Sequence, residues 1–318
     1  MIFPSELLRK CWFLAGPTAS GKSAASLVLA RLLDAEIISL DSMAIYRGMD
    51  IGTAKPSLED QQRVPHHMID IADPEQDFSV AEFLKLTLDA AEQIDRRGRV
   101  PLFVGGTGLY LRAILRGLFE GPSADWTIRQ RWEEQARANG PEWLHQQLRN
   151  VDPVAAERLH SNDMRRIIRA LEVFEVTGRP ISDDQQHGPR PKDEQPRCVA
   201  WIEPPRDWLR ARIDRRVDLM MEEGWLAETE RLMRRDPPPG RTASQALGYR
   251  ELNEYLQGRQ QSQHELSATV ELIKTATRQF AKRQHTWFRN LEECCAIATT
   301  GEETADEIAR RVLAAAGS

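Results

Sequence analysis

The sequence predicts an α/β fold: a parallel sheet flanked by helices and interrupted by an all-helical block. Three observations lead there. Short apolar runs of strand type recur at wide spacing, at "CWFLA" (11–15), "EIISL" (36–40), "VPLFV" (100–104), "CVAWI" (198–202) and "CCAIAT" (294–299). Helical stretches separate them, and strands joined by crossover helices make parallel sheets. Between about 118 and 195 no strand pattern occurs. The expected organisation is therefore a core over 1–117, a helical insertion domain over 118–195, and the rest of the core with C-terminal helices over 196–318.

Each element has a local reason. Behind the first strand, Gly16-Pro17-Thr18-Ala19-Ser20-Gly21-Lys22-Ser23 fits G-x-x-x-x-G-K-[ST] and opens a helix, so the core is expected to be P-loop NTPase-like. Backbone N–H groups of that turn and the positive helix N-terminus cradle a di- or triphosphate. Lys22 neutralises oxygens at its far end, and the Ser23 hydroxyl helps hold a Mg²⁺. Another helix opens at Ser79 with Glu82 as a capping box and ends near Gly98. The insertion reads as helices over 125–138, 141–149, 153–159 and 163–177, closed by a polar loop, "DDQQHGPRPKDEQP", expected to be exposed and mobile. A helix from about 206 buries Leu209, Ile213, Val217 and Met220, and two more cover about 243–257 and 262–289.

Composition narrows the classes. With 318 residues, 41% of them hydrophobic, the chain can bury a real core. No apolar run is long enough for a membrane span, and "MIFPSELLRK" is too short and charged for a signal peptide. Cys11, Cys198, Cys294 and Cys295 form no C-x-x-C pair, which excludes a disulfide framework or zinc site and points to the cytoplasm. A net charge of −5 argues mildly against nucleic acid, but the basic residues cluster in "MRRIIRAL" (164–171) and "RQFAKRQHTWFRN" (278–290).

Further stretches carry chemistry. Asp41 directly follows a strand, at the edge where open α/β sheets place ligands; it could bind Mg²⁺, accept a proton, or cap the next turn. The 100–104 strand runs into Gly105-Gly106-Thr107-Gly108, where a P-loop ATPase would often have a Mg²⁺-holding aspartate. Such a turn brings backbone N–H groups and one hydroxyl close to an anion, and the missing carboxylate counts against ATP hydrolysis. Arg212 and Arg216 share one helix face, either for a ligand or as part of a solvated charged surface. Tyr249, His285, Trp287 and Phe288 interleave with basic residues, a mixture that suits splayed RNA bases or, equally, a core-packing helix. His66 and His67 are adjacent and read as structural, with no metal assigned.

Taken together, "GPTASGKS", "DSMAIYRGMDIGTAKP", "PHHMID", "FVGGTGLYL", "RRIIRALEV", "QALGYRE" and "RQFAKRQHTWFR" resemble the bacterial tRNA dimethylallyltransferases, also called tRNA isopentenyltransferases. The likeness runs in family order from about residue 12 to 290, and the second, fourth and last runs are the specific ones. It implies transfer of a dimethylallyl group from dimethylallyl diphosphate to N6 of the tRNA adenine immediately 3′ of the anticodon. It further implies that the P-loop holds an isoprenoid diphosphate, with Mg²⁺ as cofactor, Asp41 as base, Thr107 near the reacting atoms, and Arg216 with Arg212 on the diphosphate.

By the same resemblance Asp41, Ser42, Met43 and Ala44, then Arg129, then Arg165, Arg166, Ile167, Ile168 and Arg169 face the tRNA. So do Gln245, Gly248, Tyr249 and Arg250, and Lys282, Arg283, Gln284, His285, Trp287 and Arg289. The helical insertion is expected to close over the anticodon stem-loop of a tRNA held by a monomer that needs no membrane. Two departures stand out: Ala44 replaces a common family Gln, which puts base selectivity in doubt, and the zinc finger of eukaryotic relatives has no counterpart. Three competitors remain at this point, the weakest a non-catalytic RNA-binding protein, which would leave an intact P-loop with Asp41 unexplained. A P-loop kinase would need ATP, and an adenylate isopentenyltransferase would have little use for the insertion.

Overall fold

The computed structural model describes residues 2–119, 121–184, 188–258 and 262–317. They divide into two compact units, a helical one over Gly117–Gly188 and a sheet unit formed by Ile2–Arg116 and Pro189–Ser318.

The sheet unit is a P-loop NTPase-like α/β fold. Its strands are β1 (Trp12–Ala15), β2 (Ala35–Leu40), β3 (His66–His67), β4 (Val100–Gly105), β5 (Cys198–Glu203) and β6 (Cys295–Ala298). They lie in the order β3-β2-β4-β1-β5-β6, every pairing parallel. Strands β1, β2 and β4 are buried along nearly their whole length, which is why they read as continuous apolar runs without alternation. On one face Leu14, Leu102, Ala200 and Ile202 pack with Val28 and Leu29 of the helix Lys22–Leu33 and with Ile308 and Val312 of the helix Ala305–Ala316. Elsewhere in the core Phe13 stacks on Phe103 at 4.6 Å between ring centroids.

All five strand runs predicted from sequence form strands, and β3 is additional. His67 there bonds Glu36 through Nε2 at 2.6 Å, and Arg97 completes the cover of that buried carboxylate at 2.7 Å. The histidine pair is thus structural. The Ser79–Glu82 capping box starts the helix Val80–Arg96 as expected. The helix Arg206–Glu222 buries Leu209, Ile213, Val217 and Met220. The expected helix over 243–257 is instead two, Arg241–Ser244 and Tyr249–Gln257. Gly248 separates them at φ +86°, where a Cβ would run into the Trp225 ring.

The helical unit contains Trp126–Asn139, Pro141–Val151, Pro153–Arg158 and Met164–Thr177, packed around Leu144, Leu148, Ile167, Ile168 and Leu171. It closes at Gly188 rather than at 195, because Arg190 donates to the Leu115 carbonyl at 2.9 Å and to Ser5 at 3.2 Å within the sheet unit. Of the loop expected to be mobile, residues 185–187 lie outside the described residues.

Candidate active site

The carboxyl ends of β1, β2 and β4 lie side by side in the sheet, and each delivers one piece of the site. Strand β1 runs into the P-loop. Ala19 adopts φ +63° and Gly21 φ +91°, and together these left-handed residues curl the loop around its own interior. The Ser20 hydroxyl is buried without a protein partner among the described residues. The N–H groups of Lys22, Ser23 and Ala24 open a helix and have no partner within it.

Strand β2 runs directly into Asp41. Its Oδ1 accepts from Met43 N at 2.8 Å and Ala44 N at 3.2 Å, so this carboxylate caps the turn and leaves Oδ2 outside those bonds. Strand β4 ends in the glycine turn. A Cβ on Gly105 would come within 2.5 Å of the Leu40 carbonyl group, so the two strand ends meet backbone to backbone. Thr107 N donates to the Leu40 carbonyl at 3.1 Å, which fixes the threonine beside Asp41's strand. No acidic side chain could occupy the Gly105 position, hence the missing carboxylate.

The helix Arg206–Glu222 supplies Arg212 and Arg216. Arg212 Nε donates to the Ala19 carbonyl at 3.1 Å, and its guanidinium lies 4.6 Å from the Trp208 ring centroid. Arg216, Lys22 and Asp41 sense one another's charge. Burial pushes the Lys22 ammonium down to about 8, Arg216 adds to the fall, and Asp41 opposes it. Burial likewise lowers Arg216, with Asp41 raising it and Arg212 lowering it further. Crowded, partly dehydrated cations with one carboxylate make a site that wants an anion.

The loop after Asp41 is held from below. Glu228 is buried, and its carboxylate accepts from Asp50 N at 3.1 Å, Ile51 N at 3.0 Å, Gly52 N at 3.3 Å and the Tyr249 hydroxyl at 2.6 Å. Lys55 donates to the Tyr46 carbonyl at 2.9 Å and pairs with Asp50 at 2.5 Å and Asp70 at 2.6 Å. Sequence reading found neither anchor, since a single glutamate in "WLAETERL" looks like any surface helix residue.

Several residues expected to face the acceptor are engaged within the protein. Ile167 and Ile168 are buried in the core of the helical unit, and their spacing with Leu171 marks that inward face. Arg129 and Arg169 both clamp the buried Glu172, at 2.9 Å and 2.6 Å, and both stay partly exposed. Tyr249 and Gly248 pack against Trp225, and Ala44 is buried. Gln284 turns inward, bonding Thr18 and Gly106. His285 sits edge-on to Trp201 and pairs with Glu203 at 2.9 Å. Gln245, Arg250, Lys282, Arg283, Trp287 and Arg289 are exposed on the sheet unit, Ser42 and Met43 are half-buried there, and Arg165 and Arg166 are exposed on the helical unit.

No three His, Cys, Asp or Glu side chains among the described residues gather into a metal cluster. A hard cation that keeps its waters needs no such cluster, since it binds through phosphate oxygens with one or two protein oxygens. Ser23, exposed at the start of the P-loop helix, is such an oxygen. No helix among the described residues is long and apolar enough to cross a membrane.

The chain matches the family model described as IPP transferase over residues 44–291. It is 47% identical to the tRNA dimethylallyltransferase of Geobacter metallireducens, over 90% of this chain and 92% of that protein. The full-length tRNA isopentenylpyrophosphate transferase of Bacillus halodurans superposes with a TM-score of 0.70 at 39% identity, covering 97% of this chain and 96% of that one. A eukaryotic dimethylallyltransferase captured acting on tRNA superposes at 0.74 and 28% identity, covering 95% of this chain and 76% of that one.

Proposed function

The chain belongs to the IPP transferase family, and on that premise we propose that it moves a dimethylallyl group from dimethylallyl diphosphate to N6 of the tRNA adenine immediately 3′ of the anticodon. The observation that carries this reading is that Asp41 lies near enough to Lys22 and Arg216 to shift the protonation of both, beside a strand end where only glycine fits.

The residues divide the work. The P-loop N–H groups, Lys22, Arg212 and Arg216 bind the diphosphate and hold its negative charge as the C1–O bond breaks. N6 forms the new bond to C1, diphosphate leaves with the electrons of the broken bond, and the N6 proton passes to Asp41. Its Oδ1 is occupied by the turn, so the proton goes to Oδ2. Such a transfer contributes typically about 10²–10⁴-fold in rate. Thr107, tied to Leu40, orients the reacting groups from the other side. Mg²⁺, held by Ser23 and the diphosphate oxygens, would supply further charge neutralisation.

The adenine leaves its stack to be reached, as base-modifying enzymes require. Ser42, Met43, Gln245, Arg250, Lys282, Arg283, Trp287 and Arg289 contact the anticodon stem-loop, and Arg165 and Arg166 do so from the helical unit. The enzyme acts as a monomer in the cytoplasm. The test is incubation with radiolabelled dimethylallyl diphosphate and Mg²⁺, with unmodified tRNA in one reaction and AMP in another. Label on tRNA alone is expected. Label on AMP would place the protein with enzymes of free nucleotides, and ATP consumption without label on either would make it a kinase.

A further inference from the structure

Gln284 lies in the basic and aromatic run of the helix Gln263–Arg289, yet it is 5% exposed. Its Oε1 accepts from Thr18 N inside the P-loop at 2.8 Å, and its Nε2 donates to the Gly106 carbonyl at 2.9 Å. A Cβ on Gly106 would collide with Nε2 and come within 3.2 Å of the Gly16 carbonyl. P-loop, glycine turn and helix therefore meet where this one side chain fits. A primary amide offers the acceptor and the donor together. A carboxylate would face the Gly106 carbonyl with no proton to give and would set a negative charge beside the phosphate loop. A residue that merely filled space would need neither bond.

We propose that Gln284 is a positioning residue that sets the P-loop against the Thr107 turn and ties both to the helix carrying Lys282, Arg283 and Trp287. The inference rests on the transfer reading above: the two pieces it spaces are the diphosphate loop and the turn beside the reacting carbon.

Gln284→Met keeps the volume and removes both bonds. Its KM for dimethylallyl diphosphate should rise about tenfold and kcat fall about tenfold, each the scale of one lost buried hydrogen bond. The tRNA Kd should stay within about twofold, because no acceptor contact is removed. Combining it with Thr107→Ala should cost less than the product of the two, since Gln284 acts through that turn. Weakened tRNA binding with unchanged donor constants would make Gln284 an acceptor contact, and full additivity with Thr107→Ala would make it filler; either overturns the proposal.

Should Gln284→Met fail to fold, Gln284→Glu keeps the volume and the acceptor. At neutral pH its affinity for inorganic diphosphate should fall at least about tenfold, and an unchanged affinity overturns the proposal. If the wild-type protein labels no tRNA, the transfer reading fails by itself. Inorganic diphosphate binding by the wild type and Gln284→Glu then still decides whether the amide holds the loop.

Discussion

Raising the pH from 7 to 9 should weaken donor binding about tenfold, and Lys22 is the reason. Its ammonium is held down to about 8 by burial and by Arg216. About nine-tenths of free protein then carries the proton at pH 7, and about one-tenth at pH 9. If the charged form binds the diphosphate, the apparent affinity falls by that ratio, which is about 1.4 kcal/mol. The bound diphosphate restores a negative partner to Lys22, so each binding event at pH 9 should take up about 0.9 proton. Calorimetry with dimethylallyl diphosphate and Mg²⁺, without tRNA, in two buffers of different ionisation enthalpy reads that uptake directly. A flat affinity, or no proton uptake at pH 9, would refute the argument. Lys22→Arg, which does not titrate there, should abolish the uptake. Stability runs the opposite way. The unfolded lysine keeps its proton up to its ordinary 10.5, so between about 8 and 10.5 the unfolded chain binds more protons than the folded one. Over that window Lys22's contribution to stability grows with pH.

Asp41→Asn keeps an acceptor for the Met43 and Ala44 N–H groups but cannot take the proton, so single-turnover transfer should drop about 10²-fold or more with tRNA affinity kept; near-normal turnover would remove Asp41 as the base. Glu228→Gln points an amide donor at a set of donors, and urea unfolding should show a loss of about 3 kcal/mol, while a change below about 0.5 kcal/mol would mean the loop is anchored elsewhere. Arg283→Ala should weaken tRNA binding and reduce the slope of log K against log salt by about 0.7–0.9. An unchanged slope would place Arg283 away from the RNA backbone.

The strands and the P-loop were legible because their signals are local. A buried parallel strand announces itself by an unbroken apolar run, and the phosphate loop by residues a few positions apart. Strand β3 escaped because His66 and His67 are too few to show a pattern and pair with β2 only in the fold. The break at Gly248 escaped because the ring that demands a glycine belongs to Trp225, in another helix.

The candidate site was legible in part, and the residues engaged inside the protein show why. The runs that carry the resemblance mix groups that would touch ligand with groups that hold the scaffold. Helical spacing alone could have assigned Ile167 and Ile168 inward, since with Leu171 they define one face. Arg129 and Arg169 needed knowledge of Glu172, whose burial leaves it no solvent to pair with. Gln284 is the extreme case: its partners stand 266 and 178 positions away, so its place in a basic run says nothing of its task. In this chain a motif tells where the chemistry sits. Burial and hydrogen-bond partners tell which of its residues hold the scaffold and which stay open to solvent, and the buried ones fix the spacing on which the exposed ones depend.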